Sequence, residues 1–515
     1  MSPPDPSRPP TYAALASPYG MLSPRLQPVA PQLAGPQPVI PQPDAPWPGV
    51  SQPDGSAPPD RMSVRDSLAA GALDEAGDAV GRLLAADPAD ADAWLLQAQV
   101  LERQERFDEA LEASHRAVSL WPDVSPAHRL QLRLAQRAGD SSLAVQALRH
   151  LLLAEPGDPM LNSEMGARLS DTGAFDQAVP FLRVAAPVLL HENCSIWNYT
   201  TALGITGRHD ELIDAQPLLD RMAAEDPGTP YPPFTHLAAA KLAVAFDAPA
   251  TLRAIEALQA SADWIEPDAL YARLADIIAR QQPFALIRLD HALSRFVCAT
   301  SLRAHLVLRP AELSAVANSV WPDWFGEPFE ATGVAAVARV GQAFEAAIAT
   351  ADVIGLPEAV VLRHDHTNFG FLAEMQRLAL AGTGRVFTPT GYAASLHASM
   401  PFLRPLLQGL PFLACVGAFP ELARRLGHFC GVAETRAVDV PAPARPDASP
   451  EAGSDAGTFP GRMEAALAEL DVPFRGALFL VGVPGPYGPV FCARIKALGG
   501  IAIDIGAVAA AWAGR

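Results

Sequence analysis

A period of 34 residues constrains the first half of this chain more than any other feature. Pro88, Pro122 and Pro156 stand 34 apart, and so do Ala76, Ala110, Ala144 and Ala178. Proline cannot continue a helical hydrogen-bond ladder, so a proline at a fixed phase ends a helix in every repeat. An alanine at a fixed phase marks where two helices approach too closely for a larger side chain. A unit of this length holds two helices and their turns. No single unit can bury its apolar face, so copies must stack and share one core.

In the repeat that opens at Trp94, Leu101, Ala110, Ala117 and Pro122 fall at the spacings of a tetratricopeptide (TPR) repeat, and the segment resembles that family. Phe107 and Phe175, two periods apart, are expected in the same inter-helix slot, with Gly166 as a small contact residue. The match is strongest over 91–190, and with atypical caps the array is placed at 62–230. The resemblance implies a surface that binds a protein or peptide. A spacer and dimerisation arm is the alternative.

Residues 1–61 are rich in Pro, Ala, Gln and Ser. Proline fixes φ and removes backbone donors, so this segment is expected to be a disordered tail, either merely solvated or docking an SH3-like partner. Residues 231–280 read as a helical cap or linker. Its predicted helices cover Leu237 to Phe246, Ala250 to Ser261 and Pro267 to Arg280.

The net charge of −18 argues against a nucleic-acid partner. The five cysteines are dispersed and form no CxxC pair, as expected of reduced thiols. No signal-peptide pattern opens the chain, and no apolar run is long enough to predict a membrane span. The expected location is cytoplasmic.

From Pro283 the pattern changes. Apolar runs at Phe284 to Leu289, Asp352 to Leu356, Arg385 to Thr388, Phe412 to Val416, Arg436 to Val440, Ala477 to Val483 and Ile501 to Ile505 read as strands with helices between most of them. The fold class is therefore multi-domain: an all-α solenoid, then an α/β domain over 281–515 with a mainly parallel sheet. Its final unit, Gly476 to Arg515, is strand, glycine-rich loop, helix and strand. Such a loop at a helix N-terminus is where parallel sheets place phosphate.

Two pieces, PFALIRL at 283–289 and LVGVPGPYGPVFCARIKALGGIAIDIGAVAAAW at 480–512, resemble the ends of a GT-D-type glycosyltransferase domain. The resemblance implies a nucleoside diphosphate sugar as donor, an acidic DxE motif after the first strand, and a divalent cation, Mn2+ or Mg2+. At the closing end the matching residues are Gly485 to Gly488, Lys496, Gly499-Gly500, Asp504-Ile505-Gly506 and Trp512. This chain departs from the pattern after Leu289. It reads Asp290-His291-Ala292-Leu293 where the family has Gly-Asp-Gly-Glu, so no DxE remains. One Asp and one His suit a hard divalent cation less well than two acids.

The candidate site follows from these positions. Asp290, His291 and Asp504 are the catalytic candidates. Gly485, Tyr487, Gly488 and Lys496 are the candidates for holding the donor, and Asp290 and Asp365 those for holding metal. Each has a structural alternative: a tight turn for the glycine loop, a solvated helix position for Lys496, a buried backbone hydrogen bond for Asp504, a surface turn for Asp290 and His291. Asp365 lies in Arg363-His364-Asp365-His366-Thr367-Asn368, the densest polar run of the domain, which is either a metal-binding or a plain loop. His397 is read as a structural histidine.

These features predict a glycosyltransferase acting on a polysaccharide or protein acceptor, with the repeats recruiting the acceptor or a partner. The alternative is a non-catalytic TPR scaffold joined to a degenerate transferase-fold domain.

Overall fold

The computed structural model describes residues 61–190, 195–225, 232–325, 328–364, 368–382, 384–392, 400–440, 459–506 and 508–513. Of the proline-rich tail expected over 1–61, residues 1–60 lie outside them, as do Cys194, Asp365, His366 and His397, while Arg61 opens a helix. The chain divides into two compact units, one up to Ala202 and one from Leu203.

The first unit is a run of helical hairpins: Arg61–Ala70 with Leu73–Ala86, Ala91–Arg103 with Phe107–Leu120, Ser125–Ala138 with Ser141–Ala154, and Pro159–Asp171 with Phe175–Ala185. The second helices begin at Leu73, Phe107, Ser141 and Phe175, holding the 34-residue period to the residue. Ala76, Ala110, Ala144 and Ala178 are fully buried between helices, as their phase predicts. At Gly166 an added Cβ would collide with the Leu182 side chain of the partner helix.

Two further devices repeat at the same period. The Trp94 indole N–H donates to the Pro88 carbonyl at 2.9 Å. His128 Nε2 meets the Pro122 carbonyl at 2.7 Å, and Asn162 Nδ2 donates to that of Pro156 at 2.9 Å. The first helices of the second, third and fourth hairpins are thus tied back to the proline turn before them through a turn carbonyl. The turn inside each hairpin carries one residue at positive φ: Gly71 at 78°, Glu105 at 62°, Gly139 at 70° and Gly173 at 78°. These positions are 34 apart, and Glu105 holds the left-handed conformation without being glycine. The described hairpins hold the register expected of a TPR-like array.

The second unit is built on a seven-stranded sheet: β1 Phe284–Arg288, β2 Val353–Leu356, β3 Val386–Pro389, β4 Phe412–Gly417, β5 Glu434–Asp439, β6 Leu478–Gly482 and β7 Ile501–Asp504. Every predicted run is one of these strands, and every pairing is parallel. The order across the sheet is β3-β2-β1-β7-β6-β4-β5. Parallel strands covered on both faces read as unbroken apolar runs, which is why they stood out in the sequence. On one face Ala285, Ile287 and Phe479 pack with Phe344 of helix Val334–Thr350 and Phe491 of helix Tyr487–Ala497. On the other, Leu286, Leu413 and Ile503 pack with Leu274 of helix Pro267–Ala279, Leu426 of helix Glu421–Cys430 and Trp512 of helix Val508–Trp512. β5 is an edge strand, and its half-exposed ETRAVD sequence suits that place.

Candidate functional site

Ligands of open parallel sheets bind beyond the carboxyl ends of the strands, where neighbouring connections run in opposite directions. Here β4 leads outward to β5 while its neighbour β6 leads inward to β7. That crevice is largely filled. An added Cβ on Gly482 would lie 2.5 Å from the Ala509 Cβ, so the glycine lets helix Val508–Trp512 settle onto the strand ends. A cavity of about 10 Å3 is left among Cys415, Gly417, Leu480, Gly482 and Ala509, room for no more than one water.

The polar groups gather instead at the carboxyl ends of β1 and β7. Asp504, 3% exposed, closes β7. Its Oδ2 accepts from the Arg288 N–H at 3.3 Å and its Oδ1 from the Gly506 N–H at 3.0 Å. Burial pushes its pKa up to about 6, against the opposing pull of the Arg288 charge and of those two N–H groups. Gly488, in the first turn of helix Tyr487–Ala497, sits against the same carboxylate: an added Cβ would lie 3.3 Å from Asp504 Oδ2. A carboxylate of the chain itself therefore lies beside the helix start where a parallel sheet would offer a phosphate its place.

Asp290 follows β1 as the N-cap of helix His291–Thr300, its Oδ1 accepting from the Leu293 N–H at 3.0 Å. Its Oδ2 pairs with Arg288 Nη2 at 3.2 Å. His291 is the half-buried first residue of that helix. A hard divalent cation needs several uncommitted oxygens. The carboxylates of Asp290 and Asp504 are both engaged, so these residues do not fit the Mn2+ or Mg2+ site that the resemblance implies. Asp365 lies outside the described residues. Its neighbour Asn368 accepts from Arg295 Nη2 at 3.1 Å through Oδ1, and Arg363 pairs with Glu256 at 2.5 Å.

The glycine loop is committed to packing. Gly485 has φ of 64°, and an added Cβ would lie 2.7 Å from Trp324 Cδ2, so the backbone lies flat on the indole. Tyr487 is buried, with its ring edge-on to Phe325 at 6.2 Å, and burial pushes its hydroxyl pKa up. Lys496 is not brought to this loop. Its Nζ donates to the Thr350 carbonyl at 2.8 Å and pairs with Asp352 Oδ2 at 2.7 Å. Asp352 Oδ2 also accepts from the Ala285 N–H near the start of β1, which places Lys496 at the amino edge of the sheet. The structure thus gathers Asp290, Asp504 and Gly488 around Arg288 and leaves Lys496 at the opposite edge.

Two residues that the sequence did not single out organise the cluster. Arg288 is the last residue of β1. Tyr392, fully enclosed after β3, lays its ring on Gly355 of β2 and donates its hydroxyl to the Asp504 carbonyl at 2.6 Å. Arg288 was legible as a lone cation at the end of an apolar run; nothing local marks Tyr392.

No family model matches the chain, and no curated protein matches it significantly. Solved structures are similar to about a third of it. A MamA structure from AMB-1 is 21% identical, covering 33% of this chain and 91% of that chain at a TM-score of 0.28. YrrB, described as a TPR protein with an unusual peptide-binding site, is 15% identical, covering 32% of this chain and 84% of that chain at a TM-score of 0.28. A MamA structure from RS-1 is 13% identical, covering 34% and 100% at a TM-score of 0.28.

Proposed function

We propose that this chain works by recruitment, with the helical array holding a protein or glycan-bearing partner. One observation carries the proposal. The first helices of successive hairpins join into a continuous polar strip: Arg133 pairs with Glu102 at 2.8 Å, Gln136 donates to Glu164 at 3.1 Å, and Arg168 pairs with Glu164 at 2.9 Å. The register is held by buried alanines and the proline-turn clamps, so this strip is left to recognition. Its mixed charge suits an extended polar segment with both signs. Quantitative affinity capture with the full chain and an Arg133→Glu/Arg168→Glu variant tests it. The variant should lose specific partners that an Asp290→Asn variant keeps. Unchanged partners would overturn the proposal.

A second reading is glycosyl transfer from a nucleoside diphosphate sugar by the α/β unit, in the manner of GT-D-type enzymes. It is favoured by the convergence of Arg288, Asp290, Asp504 and Gly488 at one carboxyl edge. Against it stands the use of both carboxylates as cap and clamp, which leaves neither an obvious general base. In this reading Arg288 would counter charge on the leaving diphosphate and Asp504 would position the β1 and β7 termini. A panel of nucleotide sugars, with and without Mn2+ or Mg2+, assayed for nucleoside diphosphate release by the full chain, decides it. Release that Asp290→Asn does not slow would exclude Asp290 from the chemistry, and no release from any donor would sink the reading.

A further inference from the structure

The cation that sequence spacing assigns to a phosphate, Lys496, is held at the amino edge of the sheet by Asp352. At the carboxyl edge the fold delivers a different one. Arg288 pairs in register with Gly355 of β2, and Gly355 with Thr388 of β3. Gly355 contributes no side chain to that row, and the Tyr392 ring fills the space: an added Cβ on Gly355 would lie 2.8 Å from Tyr392 Cε1. On the other flank Gly506, at φ of 48°, backs directly onto the guanidinium, and an added Cβ there would collide with Nη2. Tyr392 is itself fixed by its hydrogen bond to the Asp504 carbonyl. The guanidinium is therefore held in place by the chain beside the ends of the two central strands.

Its hydrogen bonding is incomplete. Nη2 pairs with Asp290, while Nε is enclosed and has no acceptor among the described residues. A guanidinium presents its donors as a planar fork that matches two oxygens of a phosphate, and an enclosed donor with no acceptor is costly to keep. The helix start at Gly488 and the Arg288 backbone N–H meet at the same Asp504 oxygen, and the Asp504 charge also acts on the guanidinium, so Asp504 links the helix start to the fork.

We propose that Arg288 is an anion-binding residue of the α/β unit, receiving a phosphate of a diphosphate-bearing ligand at the carboxyl ends of β1 and β7. Asp290 is then the internal occupant of the fork, with which the ligand competes. The site needs no metal and no turnover, so it stands apart from the recruitment proposal and rests on the nucleotide reading only for the rest of its ligand.

Competition gives the test a sign. The full chain is titrated calorimetrically with inorganic pyrophosphate and, separately, with uridine diphosphate, in EDTA. Arg288→Gln should weaken pyrophosphate binding at least tenfold, and Arg288→Lys, which keeps the charge but not the fork, should fall between it and the parent. Asp290→Asn keeps a good N-cap, removes the competing charge and should tighten binding severalfold. That arm remains readable even where an Arg288 variant fails to fold. No pyrophosphate binding by the parent at millimolar concentration, binding indifferent to Arg288 in folded variants, or binding weakened by Asp290→Asn would each overturn the proposal. Uridine diphosphate binding that ignores Arg288 would sink it and leave the nucleotide reading standing. Arg288-dependent pyrophosphate binding without any nucleotide binding would do the reverse.

Discussion

Asp504→Asn isolates what the buried carboxylate costs. An ordinary aspartate titrates near 3.8, and burial pushes Asp504 up to about 6. Below the lower value the carboxyl is protonated in both folded and unfolded chain and carries no penalty. As pH rises between the two values, the unfolded chain releases its proton while the folded chain keeps it, so stability falls. Above the upper value the folded chain holds a buried charge and the full loss is reached. At roughly 1.36 kcal/mol per pH unit, the interval converts to about 3 kcal/mol. Asparagine does not titrate there. It keeps the shape but loses an acceptor for Arg288 or Gly506, a cost of about 1–3 kcal/mol that does not depend on pH. The parent should therefore lose about 2.5 kcal/mol relative to the variant from pH 4 to pH 7, whatever the constant offset. Because the chain has two units, amide exchange by mass spectrometry in urea is the suitable assay, followed at β1 and β7 peptides. Parallel stability profiles for parent and variant across that range would refute the burial argument.

Other expectations are simpler. Glu105→Gly should stabilise the array by about 1 kcal/mol, because a left-handed residue with a Cβ is strained, and thermal unfolding followed by circular dichroism would register it. Gly166→Ala should destabilise by about 1–3 kcal/mol through overpacking on Leu182, and a double-mutant cycle with Leu182→Ala should recover part of the loss. Asn162→Leu should cost about 1 kcal/mol by removing the hydrogen bonds to the Pro156 and Asp158 carbonyls, read from the urea midpoint of the first unit. Lys496→Met should leave pyrophosphate affinity unchanged while lowering protection of the β1 amides, since Lys496 braces Asp352 at the other edge of the sheet.

Most of the strands, though not the half-exposed edge strand β5, were readable because buried parallel strands are apolar on both faces, and the hairpins because small residues and prolines recur at a fixed phase. The clamps were not. Trp94, His128 and Asn162 share only a side-chain nitrogen that bonds a carbonyl, and no residue type repeats. Nor was the turn at Glu105, where the other three hairpins have glycine. At the site, Lys496 looked close to the glycine loop because seven residues separate it from Pro489. Along a helix that is roughly 10 Å, enough to cross from one edge of the sheet to the other. Gly485 looked like a phosphate cradle because its true neighbour, Trp324, is far away in sequence. Asp504 was visible as an acid in an apolar strand, but the two N–H groups that occupy it come from β1 and from the turn after β7.

The strand order has a consequence for how the protein is made. β6 and β7 come last in sequence order but lie between β1 and β4. Until a ribosome has translated past Asp504, β1–β3 and β4–β5 can form only as two separate half-sheets, each presenting an apolar edge that the other does not cover. The array needs no such delay, since each hairpin docks on the one made before it. The nascent chain should thus fold its first unit promptly and hold its second open, and chains arrested before residue 476 should expose the β1 and β4 edges to chaperones and proteases that leave the finished protein alone.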